Sequence, residues 1–313
     1  MTSVIAVVGS ANQDYIVRVA APPAPGETVL AASLLTQPGG KGANQAVAAA
    51  RMGGNVSFIG AVGDDADGAS LLRELRTEGV DTTNVEIINR VRTGLALVSV
   101  FDSGDNSITV VPGTNFALSP ERVTRAIKRL AKDAESMIMV IQAELRSEVI
   151  AAAVHANAEL GGRSVVNLAP YQPLPAEVLA LCDPLVLNQS EASSLVGWKV
   201  EDVPAAARAA GQIAVAAKSV VITIGAQGAY WADSTGAGHV AAPIVTDVVD
   251  TMGAGDAFVG ALVAQLAEGA RLERAVEVGV LAGSYAVRRP GAQSSYAMRA
   301  DLHLDVSDEP SPA

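Results

Sequence analysis

Cysteine is almost absent from this chain of 313 residues: Cys182 stands alone, so no internal disulfide can form, and a reducing, cytoplasmic setting is expected. Histidine is scarce as well. His155, His239 and His303 lie far apart, fit no metal-ligand spacing and are expected at the surface or in loops. Aromatic residues make up 4%, and 22 Lys and Arg face 33 Asp and Glu, a formal net charge of -11. Such a balance argues against a nucleic-acid partner. No apolar run approaches the ~18 residues a membrane helix needs, and Met1–Gly9 has neither the basic start nor the cleavage site of a signal peptide. The Gly-x-Ser-x-Gly elbow of many hydrolases is missing. So is a P-loop, because Gly42 rather than Ser or Thr follows Lys41. The dinucleotide fingerprint fails too: after Gly253 and Gly255 the third glycine position holds Phe258.

What is present is small and apolar. Half the residues are hydrophobic, and Ala and Gly are abundant, which suits helices packed closely on a sheet. Strands are expected at Val4–Val8, Val56–Ile59, Met137–Gln142, Ser164–Leu168, Leu185–Leu187 and Val220–Ile224. Helices are expected near Ala43–Met52, Ala66–Glu78, Pro120–Lys132, Glu148–Leu160, Pro204–Ala217, Ala254–Glu268 and Leu272–Val287. The alternation predicts an α/β fold, a doubly wound and mainly parallel sheet with helices on both faces. The strand runs are apolar throughout, as burial on both faces requires. Two stretches break the pattern. Tyr15–Pro38 and Val91–Pro112 read as antiparallel hairpins and predict a small β flap able to act as a lid. One domain is therefore expected over residues 1–303, with lid inserts at about 15–38 and 91–112 and a frayed acidic tail at 304–313. Cys182 falls in an apolar, helix-like stretch and reads as a small buried hydrophobe. Gly63-Asp64-Asp65 reads as a turn in preference to a metal site.

Three segments carry chemistry. In Asp250-Thr251-Met252-Gly253-Ala254-Gly255-Asp256-Ala257-Phe258, glycines precede a helical run, so amides at the helix start can face an anion. Asp256, in the first turn, could accept a proton from an attacking alcohol. An aspartate there also simply stabilises the helix dipole, and that reading stays open. Gly39-Gly40-Lys41-Gly42-Ala43-Asn44-Gln45-Ala46 pairs a close-approach turn with donors, Lys41 and Asn44, suited to hydroxyl groups, or is a plain loop-to-helix junction. Gly9-Ser10-Ala11-Asn12-Gln13-Asp14 follows the first strand, where open α/β sheets bind ligands, although Asn and Asp are also ordinary turn residues.

Together with Asn188-Gln189-Ser190-Glu191, these segments resemble, in order, the signatures of the ribokinase (carbohydrate kinase PfkB) family, over Val4 to about Ser295. The resemblance implies ATP-dependent phosphorylation of a pentose primary hydroxyl, with D-ribose giving D-ribose 5-phosphate. Another sugar or a nucleoside, or a non-catalytic sugar sensor, are the alternatives. It makes Asp256 the base and Gly253, Ala254 and Gly255 the anion hole. It places Asn12, Asp14, Gly40, Lys41, Gly42, Ala43, Asn44 and Glu144 on the sugar. Asn188, Thr223, Ile224, Gly225, Ala226, Gln227, Gly228, Gly255 and Val280 would meet the nucleotide. Asn188 and Glu191 would hold Mg2+ through water. Asp250, Met252, Ala286, Arg289, Gly291 and Ser295 would surround K+. A homodimer through the β lid is implied, with neither nucleic acid nor membrane as partner.

Overall fold

The fold is known from a computed structural model that describes residues 3–103 and 106–304. The tip of the second hairpin at Gly104-Asp105 and the acidic tail from Asp305 onward lie outside the described residues. In chain order the elements are β1 (Val4–Val8), β2 (Asn12–Val19), β3 (Ser33–Gly39), α1 (Lys41–Arg51), β4 (Asn55–Gly63), α2 (Ala66–Thr77), β5 (Asp81–Ile88), β6 (Gly94–Phe101) and β7 (Asn106–Val111). There follow α3 (Pro120–Asp133), β8 (Met137–Gln142), α4 (Ser147–Glu159), β9 (Arg163–Asn167), α5 (Ala176–Leu179), β10 (Cys182–Asn188), α6 (Gln189–Val196), α7 (Val203–Ile213) and β11 (Val220–Thr223). The hairpin of β12 (Ala229–Asp233) and β13 (Gly236–Val240) precedes α8 (Ala254–Ala267) and α9 (Leu272–Ala286).

The main sheet has nine strands in the order β13-β12-β11-β10-β9-β8-β1-β4-β5. It is parallel from β11 to β5, and β12 and β13 add an antiparallel edge. β1 sits between β4 and β8, so the chain winds one way through β4 and β5 and the other way from β8 to β11. The switch point beside β1 opens a crevice at the strands' carboxyl ends, the position at which this architecture binds ligands. β8 is buried along its whole length. One core joins α1, α8 and α9 to one face of the sheet, and a second joins α3, α4 and α7 to the other.

The helices start where their caps allow. Asp65 caps α2 by accepting from the Gly68 amide at 2.8 Å, and Asp202 caps α7 from Ala205 at 2.8 Å. Asp65 also accepts from the amide and hydroxyl of Thr93, so its carboxylate serves the turn after β4. α8 is apolar all round and buried from Asp256 to Leu266 between its neighbours. A Cβ at Gly260 would lie 2.4 Å from the Ala48 Cβ, which is how closely α1 and α8 approach.

The two hairpins form a separate four-stranded sheet, ordered β3-β2-β6-β7, with β2 and β6 parallel. Cys182 corrects one expectation. It is fully buried, as a small hydrophobe should be, but it begins strand β10 and is not helical. Pro184 follows two residues later and the β-branched Val186 sits in the run, both poor helix residues. Burial pushes its thiol up to about 12, so it is inert.

Candidate active site

β1 ends at Val8; after the β2-β3 hairpin the chain returns beside this strand end, where α1 begins at Lys41. Gly40 has φ 87°, and a Cβ there would meet the Asn12 amide nitrogen at 2.8 Å. Gly42 lies against Gly9, where a Cβ would come within 2.6 Å of its backbone. This contact brings Asn12 and Asp14 of β2 beside Lys41 and Asn44 of α1. Glu144, just past β8, completes the cluster by accepting from the Ser10 hydroxyl at 2.5 Å and the Lys41 amide at 3.0 Å. The Gly42 amide donates to the Ser10 hydroxyl and the Ala43 amide to the Ser10 carbonyl. The start of α1 is thus satisfied from within the protein; Ala43, itself buried, adds packing.

Asp14 has an oxygen that is buried without a hydrogen-bond partner among the described residues. Burial, then the nearby Glu144 and Asp256 carboxylates, push its acid up to about 7. The Lys41 ammonium is held above its ordinary range by Asp256 first, and by Glu144 and Glu191, against the opposing effect of burial. Its charge is therefore already matched. The cluster as a whole is acidic and rich in acceptors, which suits a neutral polyol and disfavours an anion.

Asp256 lies in the first turn of α8 and is 7% exposed. Its Oδ2 accepts from Asn44 Nδ2 at 3.0 Å and its Oδ1 from Gln45 Nε2 at 2.9 Å. Gly253, the N-cap, has φ 74°, a left-handed conformation that favours glycine. A Cβ there would also meet the Tyr296 hydroxyl at 2.7 Å and Ala292 at 2.9 Å. The Ala254 amide turns back to the Thr251 carbonyl at 3.3 Å. Among the described hydrogen bonds, the amides of Gly253, Gly255 and Asp256 have no protein acceptor. Three free donors at a helix N-terminus form an anion-binding nest.

Gly255 faces a cavity of about 530 Å³ on the other side of this turn. Thr223, Gly225, Ala226 and Gly228 from the end of β11 line it, as does Val280 of α9. Ile224 instead enters the core, and the exposed Gln227 uses its carbonyl on His239. The sequence reading missed the opposite wall, Ala242–Val245 with Val248, together with Ser284. Ile244 is 94% exposed, an apolar side chain at the rim where a flat heterocycle could stack. A larger surface groove of about 780 Å³, between α3 and edge strand β5, shares no residue with either half of this site.

Asn188 and Glu191 form a reciprocal cap at the start of α6: Asn188 Oδ1 accepts from the Glu191 amide and Glu191 Oε2 from the Asn188 amide. Burial holds the pKa of Glu191 above the usual carboxylate range, offset in part by the Asn188 amide and Lys41. Asp250 ties two loops, accepting from the Met252 amide at 2.9 Å and the Gly291 amide at 2.9 Å. Ser295 is buried nearby, Ala286 packs in the core, and the Arg289 guanidinium stacks 3.9 Å over Tyr285. The described residues hold no group of three or more His, Cys, Asp or Glu arranged for a metal. His155, His239 and His303 are all exposed.

A polyol cluster and a nucleotide-sized cavity, meeting at a carboxylate beside an amide nest on a doubly wound sheet, define a phosphotransferase site. The pfkB family carbohydrate kinases match residues 2–298, so the chain belongs to that family and is an ATP-dependent sugar kinase. The ribokinase of Haemophilus influenzae is 34% identical over 300 residues, covering 96% of this chain and 97% of that one. The deoxyribokinase of Salmonella typhi is 35% identical over 296 residues, covering 93% and 95%. Among solved structures, Arabidopsis thaliana ribokinase complexed with ribose and ATP superposes with a TM-score of 0.86 at 28% identity, covering 96% of this chain and 97% of that one. The resemblance read from the sequence, the fold class and the kinase assignment all agree with these findings. No helix among the described residues is long and apolar enough to cross a membrane.

Proposed function

We propose that the chain transfers the γ-phosphate of ATP to the primary hydroxyl of a pentose, D-ribose giving D-ribose 5-phosphate, with Asp256 as general base. The observation that carries this is the position of Asp256: buried, fixed by Asn44 and Gln45, and flanked by the unpaired amides of Gly253, Gly255 and Asp256 itself. Asn12, Asp14, Lys41, Asn44 and Glu144 hold the sugar through its hydroxyls. The hydroxyl oxygen forms its bond to the γ-phosphorus as the bond to the ADP oxygen breaks, and the hydroxyl proton passes to Asp256. The amide nest, Gly253 to Asp256, stabilises the charge of the transferring group.

The cavity lined by Thr223, Gly225, Ala226, Gly228, Gly255 and Val280 takes the nucleotide. With Asn188 and one Glu191 oxygen spent on capping α6, the remaining Glu191 oxygen suits an Mg2+ held through water, which would neutralise phosphate charge. The Asp250 carboxylate and neighbouring main-chain oxygens of Met252, Ala286, Arg289 and Gly291, with Ser295, have the all-oxygen chemistry that suits K+. Residues 1–303 act as one unit, and the four-stranded sheet is its lid. Asp14 is on lid strand β2, and Gln37 of β3 donates to the Met252 sulfur at 3.7 Å, which ties the lid to the catalytic turn. Leu35, Ile108 and Val110, exposed on one face of the lid, with Leu34 and Leu97 exposed on the other, give it apolar surface suited to a homodimer interface.

A coupled ADP-release assay across ribose, 2-deoxyribose, fructose 6-phosphate and adenosine, with and without K+, tests the substrate. Ribose as the preferred acceptor is the expected result; preference for a sugar phosphate or nucleoside overturns it. Binding without ADP release from any acceptor would identify a sensor. Asp256→Asn is expected to abolish transfer while sugar binding persists in calorimetry, and wild-type turnover by that variant removes Asp256 from its role.

A further inference from the structure

Behind Asp256, beyond Asn44 and Gln45, lie the carboxamides of Gln142, Asn167 and Gln293, which touch neither substrate in the reading so far. An ionised carboxylate only accepts hydrogen bonds, so Asn44 and Gln45 must turn their NH2 groups toward it. Their oxygens then face away and need donors of their own. Gln293 Nε2 donates to Asn44 Oδ1 at 3.0 Å, and Gln142 Nε2 to Gln45 Oε1 at 2.7 Å. The second Gln45 N–H donates to Asn167 Oδ1 at 2.9 Å, and Asn167 donates to the Val186 carbonyl at 3.2 Å. The polarity of the whole chain is thus set by one charge at its centre. Gln45 is 0% exposed, so unlike Asn44 it cannot touch a sugar.

We infer that Gln45 is a positioning residue for phosphoryl transfer: its carboxamide, gripped by Gln142 and Asn167, fixes the orientation from which Asp256 receives the hydroxyl proton. The inference rests on Asp256 being the base. Anchorage to β8 and β9 ties the helical carboxylate to the sheet that carries the sugar cluster. A side chain free to rotate about its own bonds would sample geometries unsuited to transfer, and small misplacements of reacting groups cost rate steeply. A residue acting this way affects turnover and leaves sugar affinity alone.

The test compares kcat and the ribose KM of wild type, Gln45→Met and the double variant Gln45→Met/Gln142→Met, with melting temperatures alongside. Gln45→Met is expected to lose at least about tenfold in kcat with KM changed by less than about threefold. Gln45→Met leaves the Gln142 amide, the Asn167 oxygen and one Asp256 oxygen without their Gln45 partner, and replacing Gln142 as well relieves the first of these penalties. The double variant is therefore expected to regain melting temperature while kcat stays low. Turnover within about twofold of wild type in Gln45→Met overturns the inference. So does a kcat that returns with stability in the double variant, or a loss confined to KM. A wild type that phosphorylates no sugar overturns the proposed function and this inference with it, whereas an active wild type matched by its variants overturns this inference alone.

Discussion

Asp14 carries a measurable penalty. Its acid is pushed up to about 7 from a usual 3.8, by burial first and by Glu144 and Asp256 after it. Between those values the folded chain keeps a proton the unfolded chain has released. The resulting stability is complete below about pH 4 and is lost as pH rises through about 7. Asp14→Asn removes this dependence. Without sugar, the stability advantage of the variant should grow by roughly 2–3 kcal/mol between pH 5 and pH 8. Chemical denaturation at the two pH values measures it, and an equal gap at both would remove Asp14 as the source. Asn12, Asp14, Lys41, Asn44 and Asp256, which the structure brings together, stood out as candidates because each follows a strand end or a glycine turn, and Glu144 came from the family resemblance. Gln45, Gln142, Asn167 and Gln293 did not stand out, since their partners lie 97 to 249 residues away and no local spacing encodes such pairs.

At the scale of elements, the turn into α8 makes two glycines, Gly253 and Gly255, behave differently. Gly253→Ala combines a left-handed φ with collisions against Tyr296 and Ala292, and should cost about 1–3 kcal/mol along with most activity. A Cβ at Gly255 meets nothing within 4 Å and enters the nucleotide cavity. Gly255→Ala should therefore melt close to wild type and raise the KM for ATP. Thermal melts and ATP titrations of both variants separate the cases; equal melting losses would contradict the geometry. The buried parallel strands and long helices were legible from their apolar runs, in several cases to within a residue or two. β5 was not: Asp81-Thr82-Thr83-Asn84 opens an edge strand with polar residues. β12 and β13 are short, and Gly236 and Gly238 leave β13 little strand propensity. α6 was not read either, although Asn188 and Glu191 have the spacing of the helix cap they form.

At the scale of the molecule, the lid should decide association. Leu35, Ile16, Val98 and Ile108 pair across its four strands and so share one face, buried at Val98 (2% exposed) and open on its edge strands at Leu35 (57%) and Ile108 (55%). Ile108→Lys places charge in that row and should convert a dimer into a monomer in analytical ultracentrifugation. Unchanged sedimentation would move the interface elsewhere. The acidic total, -11, is compatible with ATP because the attraction is local, in the amides at the start of α8 and in the bound cations proposed beside it.

The site is sewn from the two ends of the polypeptide. Asn44 and Arg51 near its beginning bond to the side chain and carbonyl of Gln293 near its close. A nascent chain could assemble most of its sheet while still on the ribosome, yet the pocket stays unfinished until the last segments emerge. A chain cut before Gln293 is therefore expected to lack turnover, since Asn44 and Arg51 would lose these partners.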